Sequence, residues 1–189
     1  ALIVTLQPIL TNILSGPILN EKVTLKQWIG VLLGFLGATL VLGLDLGSKI
    51  PLLGLVATLI ALISITASTI WQKKLSNNLP LSVSNFYQAI GGCFFHILVV
   101  IFFAKPYIAF TKTFLLSIGH QIFLVSFGAF TILMFLIKKN SASKTVSIFF
   151  LIPATSALMA WFFLKESLTA IDLLGFLITS IGVYIATRD

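Results

Sequence analysis

Asn85, Gln88, Gly92 and His96 follow one another at spacings of three, four and four, which on a helix gathers two amides, a small residue and an imidazole into one narrow stripe. Such a stripe suits contact with a polar solute, or proton transfer, because imidazole titrates near neutrality. It suits packing equally well, with His96 donating to a carbonyl of a neighbouring helix. Ser64, Ser68 and Trp71 form a second stripe, with Thr66, Thr69 and Gln72 on other faces. Hydroxyls there can bond the carbonyl one turn back and need no other partner. Pro8 and Pro153 each lack a backbone N–H and so free a carbonyl, either kinking a helix beside a cavity or making an outward-facing bend. Glu21 and Glu166 fall in turns, where a carboxylate keeps its water, so a proton-carrying role is the weaker reading for both. No H-E-x-x-H, nucleophile elbow, GxGxxG or phosphate loop is present. Cys93 is the single cysteine, which excludes an intrachain disulfide and a cysteine metal cluster. The expectation is therefore no enzyme, no metal and no cofactor.

The elements that must position these residues follow from composition. Of 189 residues 58% are hydrophobic and 9% charged, with mean hydropathy +1.11, against roughly 45–50% and 25% in ordinary globular domains. Apolar runs of about twenty residues recur, the length that crosses a bilayer's hydrocarbon. Seven spans are predicted: Ala1 to Leu19, Gln27 to Leu44, Leu52 to Gln72, Val83 to Ala104, Ile118 to Ile137, Thr145 to Leu164, and Ile171 to Ala186. The breaks between them are short, so consecutive helices are expected to run antiparallel. The opening residues lack a basic stretch and a small-residue cleavage site, so they read as a helix entered in mid-protein and not as a signal peptide.

The formal charge of +7 does not imply nucleic acid, because the twelve Lys and Arg are scattered in ones and twos. As loop anchors they divide unevenly. Lys22, Lys26, Lys73, Lys74, Lys138, Lys139, Lys144 and Arg188 fall on one side, and Lys49, Lys105, Lys112 and Lys165 on the other. The positive-inside rule then predicts a cytoplasmic C-terminus. Trp28, Trp71, Trp161 and Tyr184 lie toward span ends, where amphipathic rings prefer the interface.

A shift of 145 superimposes Pro8 on Pro153, Glu21 on Glu166, Thr24 on Thr169, Gly30 on Gly175 and Gly37 on Gly182. An odd number of spans separates the two copies, so equivalent helices cross in opposite directions. Inverted repeats of this kind build many secondary transporters, since two halves of opposite orientation give two nearly equivalent open states. The offset predicts about ninety further residues, roughly three helices, before Ala1. Residues 1–46 would then end a first repeat, and 47–189 form a complete second repeat of five helices. Thr24 with Gln27, and Thr169 with Asp172, have helix-capping spacing. Gly30, Gly34 and Ala38, with Gly37, and Gly175, Thr179, Gly182 and Ala186 are small residues suited to helix packing in lipid.

These words resemble the drug/metabolite transporter superfamily, specifically its EamA-type domain. The resemblance runs over essentially the whole chain. It is strongest from Leu151-Ile152-Pro153-Ala154-Thr155 through Trp161-Phe162-Phe163-Leu164-Lys165-Glu166-Ser167-Leu168-Thr169 to Leu174-Gly175 and Gly182-Val183, and it recurs from Gln7-Pro8 to Gly37. It implies an all-α integral membrane protein of ten helices, five plus five in inverted repeat, in a bacterial inner membrane. It also implies a central cavity carrying a small organic solute such as an amino acid, metabolite or drug. The helices equivalent to the first, third, fifth and sixth spans line that cavity in the family, which makes Pro8, Thr11, Asn12, Ser64, Ser68, Trp71, Ser126, Ser147, Pro153 and Thr155 candidates beside Asn85, Gln88 and His96. The competing expectation is a non-transporting membrane assembly subunit with the same fold. The expected partners are the lipid bilayer, the solute and the preceding helices of the same protein.

Overall fold

The computed structural model describes residues 3–43, 51–76, 79–103 and 107–188. The repeat boundary at 46/47, Lys49 and Lys105 lie outside the described residues, as do the expected span ends Ala1, Leu44 and Ala104. Every regular element described is a helix: α1 (Gln7–Leu19), α2 (Leu25–Leu42), α3 (Leu52–Ser76), α4 (Leu81–Phe103), α5 (Lys112–His120), α6 (Phe130–Lys139), α7 (Ala142–Ser147), α8 (Leu151–Met159) and α9 (Ala170–Thr187). A π-helical stretch, Gln121–Ala129, joins α5 to α6; a 3-10 turn, Ile148–Phe150, joins α7 to α8, and a second π-helical stretch, Ala160–Leu164, extends α8.

Taken as continuous rods, six of these are long and apolar enough to cross a membrane: Leu25–Leu42, Leu52–Leu75, Leu81–Phe103, Lys112–Lys139, Ala142–Leu164 and Ala170–Thr187. The expected first span appears among the described residues as a shorter apolar helix, Val4–Leu19, roughly 24 Å at 1.5 Å per residue. Apolar side chains such as Phe94, Phe95, Ile101, Phe102 and Phe103 on α4 stand exposed, the arrangement lipid rewards and water penalises.

Local chemistry sets the helix ends, and it repeats at the same offset of 145. α1 stops where Asn20 turns left-handed (φ 55°), and the rod ending at Leu164 stops where Lys165 does the same (φ 60°). Just beyond, the Glu21 N–H donates to the Ser15 carbonyl at 3.3 Å and the Glu166 N–H to the Ala160 carbonyl at 3.5 Å. Each chain then re-enters a helix through a capping box. The Thr24 N–H donates to Gln27 Oε1 at 2.8 Å while the Gln27 N–H donates to Thr24 Oγ1 at 3.3 Å. The Thr169 N–H donates to Asp172 Oδ2 at 2.8 Å, and the Asp172 N–H to Thr169 Oγ1 at 3.2 Å. Both boxes satisfy N–H groups that a helix start otherwise leaves orphaned.

The prolines act differently from a mid-helix kink. Pro8 sits in the first turn of α1 behind the 3-10 turn Val4–Leu6, and Pro153 near the start of α8 behind the 3-10 turn Ile148–Phe150. A proline cannot donate to the carbonyl four residues back, here Val4 and Phe149, and at both places the chain tightens into a 3-10 turn. The interior proline of α1 is Pro17.

Two compact units make up the chain, Ala1–Lys74 with Asn140–Asp189, and Leu75–Lys139. In the first, α2 and α9 pack antiparallel at very short range. A Cβ on Gly30 would lie 2.6 Å from the Gly182 carbonyl oxygen, and one on Gly37 would lie 2.7 Å from that of Gly175. Residue numbers that rise along α2 fall along α9, and the two contacts exchange under the shift of 145. The core beside this seam is Val31, Ala38, Phe150, Val183 and Ala186, with Phe150 set into the space that Gly34 leaves. In the second unit α4 stands with the rod Lys112–Lys139, where Ser126 Oγ donates to the Gln121 carbonyl five residues back at 3.1 Å, following the widened π turn.

Candidate solute cavity

Within the first unit, Pro8 and Pro153 border the same cavity of ≈ 650 Å³. Val41, Ile65, Phe149 and Phe150 supply its apolar wall, and Thr5, Gln7 and Ser156 its polar side chains. No ionisable side chain stands among its described lining. The size falls within the usual range for sites that enclose a small organic molecule. Gln7 is fixed by donating from Nε2 to Thr69 Oγ1 at 3.2 Å, while Thr69 donates to the Ile65 carbonyl at 2.9 Å. The wall thus has a defined polar point in an apolar surround.

Beyond Gln7 along α1, polarity continues but turns into the protein. Thr11 is fully buried and donates to the Gln7 carbonyl at 2.9 Å. Asn12 is 2% exposed; its Oδ1 accepts from Ser143 Oγ on α7, while its Nδ2 has no hydrogen-bond partner among the described residues. Ser147 is also fully buried and donates to the Ser143 carbonyl at 2.8 Å. At the end of this seam both Glu21 carboxylate oxygens accept from the Ala142 N–H, at 2.9 and 3.1 Å, and Lys73 Nζ donates to the Asn140 carbonyl at 2.6 Å. Glu21 is therefore a cross-link between α1 and the start of α7, beyond the water-facing role its turn position suggests.

The other candidates lie elsewhere. Ser64, Ser68 and Trp71 occupy the exposed face of α3, and the face turned inward carries Leu62, Thr66, Thr69, Ile70 and Gln72. Those inward residues cluster within a half-turn of one another about the helix axis, so the serine stripe points the opposite way. Thr155 is exposed and donates to the Leu151 carbonyl at 2.9 Å, bordering a separate groove with Ser156 and Met159. In the second unit Asn85 and Ser126 border a groove of ≈ 520 Å³ with Phe86, Phe127 and Thr131. Gln88 Nε2 donates to Ser84 Oγ at 3.4 Å, and His96 Nδ1 donates to the Gly92 carbonyl at 2.7 Å. The carbonyl that takes His96 belongs to its own helix and not to a neighbour. Thr5, Gln7 and Ser156 are the lining polar residues the sequence reading passes over. Gln7 carried a signal, a lone amide preceding the proline of the repeat; Phe149 and Phe150 carried none, being indistinguishable from lipid-facing residues.

A chain whose described residues form only helices, six of them apolar rods of bilayer length with apolar side chains turned outward, is an integral membrane protein. It belongs to the EamA-like transporter family, whose model matches residues 1–43 and 52–188. A Bacillus subtilis (strain 168) protein named uncharacterized transporter YvbV is 30% identical over 187 residues, covering 93% of this chain and 58% of its own length. An uncharacterized transporter from the sor 3' region of Acidianus ambivalens is 30% identical over 149 residues, 79% of this chain and 57% of its own. One solved crystal structure shares the fold with a TM-score of 0.81 at 17% identity, covering 98% of this chain and 64% of its own. The chain thus spans a little under three-fifths of the two curated relatives.

Proposed function

We propose that this chain is the larger part of a secondary carrier that moves a small organic solute, an amino acid, metabolite or drug, by alternating access. The observation that carries the reading is the cavity bordered by Pro8 and Pro153, two prolines 145 residues apart that follow equivalent 3-10 turns. A site shared by equivalent positions of two oppositely directed helices can be opened to either face by nearly the same motion. Translocation requires no covalent step, only a pocket of modest affinity so that the solute can leave. The reading extends to a carrier of five plus five helices in a bacterial inner membrane. Residues 1–46 belong to the first repeat and 47–189 are the second, seven spans in all, with the C-terminus in the cytoplasm by the Lys and Arg distribution.

The test is solute uptake by liposomes containing the full-length carrier, with a panel of amino acids and cationic drugs. Saturable flux is expected for a subset of the panel. Ser156→Ala is expected to raise KM for that subset by roughly 2- to 10-fold, the range of one net hydrogen bond, with no loss of extractable protein. Flux absent for every solute, or flux indifferent to substitutions at Gln7 and Ser156, would count against a carrier built on this cavity.

A further inference from the structure

Four of the twelve Lys and Arg converge on one cleft. Lys22 comes from the turn before α2, Lys26 from its first turn, Lys144 from the first turn of α7, and Arg188 from the end of α9; with Thr24, Leu25 and Gln27 they border ≈ 450 Å³. The convergence follows from the fold. Because α2 and α9 run antiparallel with Gly30 against Ala186, the residues just outward of that contact, Lys26 on α2 and Arg188 after α9, border the same cleft. α7 is brought beside them by the Glu21 cross-link to Ala142. Among the described residues lining the cleft there is no carboxylate; both oxygens of the nearby Glu21 accept from the Ala142 N–H. Arg188 is held by its ring neighbour, with the guanidinium 5.1 Å from the Tyr184 centroid and donating to the Tyr184 hydroxyl.

The geometry points to a binding site for the phosphodiester headgroup of an anionic phospholipid. Like charges gathered around one hollow repel, and an anion lodged among them adds an attraction to each that offsets the repulsion. The cleft also lies at helix ends, the level at which headgroups sit, and Leu25 leads away from it into an exposed apolar stripe of Ile29, Leu32 and Leu36 on α2. That stripe has helical spacing and offers acyl chains a path continuous with the cationic hollow. A free phosphate would use the cations alone, whereas a lipid uses both features. Basic pockets between transmembrane helices at the cytoplasmic surface take lipid headgroups on these grounds.

The test measures retention of dioleoyl phosphatidylglycerol by the full-length carrier in native mass spectrometry, against phosphatidylcholine and against inorganic phosphate. Each cation near a membrane surface contributes about fivefold in affinity, so Lys26→Gln with Arg188→Gln is expected to weaken phosphatidylglycerol binding about 25-fold. Glutamine is a good helix former and leaves the first turn of α2 intact. The charge-keeping pair Lys26→Arg and Arg188→Lys is expected to restore binding, and Lys165→Gln, outside the cleft, to leave it within twofold. Retention unchanged in the glutamine pair would overturn the proposal. So would protection against thermal unfolding by inorganic phosphate alone equal to that by phosphatidylglycerol, which would make the hollow an ion site.

Discussion

Gly182→Val is expected to abolish recovery of folded, monodisperse protein from membranes. A Cβ at Gly182 would meet the Gly30 carbonyl oxygen at 2.7 Å and the Gly34 Cα at 2.9 Å, both backbone atoms of the opposing helix. Overpacked cores usually lose 1–3 kcal/mol because side chains yield. Backbone cannot yield without moving α2 bodily, so about 3 kcal/mol is the lower end here. Lipid offers no compensation, since helices in a bilayer associate by close van der Waals contact and not by escape from water. Gly37→Val, related by the offset of 145, meets the Gly175 carbonyl oxygen at 2.7 Å and is expected to fail in the same way. Gly91 on α4, with nothing within 4 Å of its Cβ position, is the control; Gly91→Ala is expected to be neutral or to gain up to about 1 kcal/mol from helix propensity. Size-exclusion profiles and melting curves of the extracted proteins decide it. Equal behaviour at positions 91 and 182 would show that the seam is not close-packed.

The second large effect concerns the Glu21 end. There α1 and α3 are tied to the chain entering α7 by Glu21 to Ala142, Asn12 to Ser143 and Lys73 to Asn140. In a carrier that alternates, these ties close one mouth while the cavity beside Pro8 lies further along the same helix. Hydrogen bonds to a charged group contribute about 1.5–3 kcal/mol, so Glu21→Gln is expected to shift the mouth toward open by roughly 10- to 100-fold. The readout is the labelling rate of Ser143→Cys by a membrane-impermeant thiol reagent, in a background where Cys93 is alanine. Glu166→Gln, at an exposed residue bearing no such tie, is expected to leave that rate unchanged. A rate at Ser143→Cys indifferent to Glu21→Gln would remove the carboxylate from the gate.

Much of this was legible in the residues, and unevenly so. Composition and the length of apolar runs determine the helical membrane class, because lipid leaves a spanning chain few ways to satisfy its backbone. The capping boxes that follow Glu21 and Glu166 were legible, being set by local side-chain chemistry; the left-handed stops at Asn20 and Lys165 and the tie from Glu21 to Ala142 were not. The inward face of α3 was not legible. Ser64 and Ser68 look as suited to a cavity as Thr66 and Thr69, and only the register of α3 against Gln7 separates them. The span count was blurred for a related reason, since Val4–Leu19 is apolar but short. The cationic cleft was hidden because its members come from three distant stretches of the chain, which the α2–α9 packing and the Glu21 tie to α7 bring together.

The central claim is that α2 and α9 are kindred helices inverted with respect to one another across the bilayer. Its most direct test places single cysteines at Lys22 and at Ser167, equivalent positions before the two helices, in the Cys93→Ala protein, and labels sealed, oriented vesicles with an impermeant maleimide. Labelling of the two from opposite faces of the membrane is the predicted result. Labelling of both from the same face would contradict the inverted pair, and the carrier reading built on it.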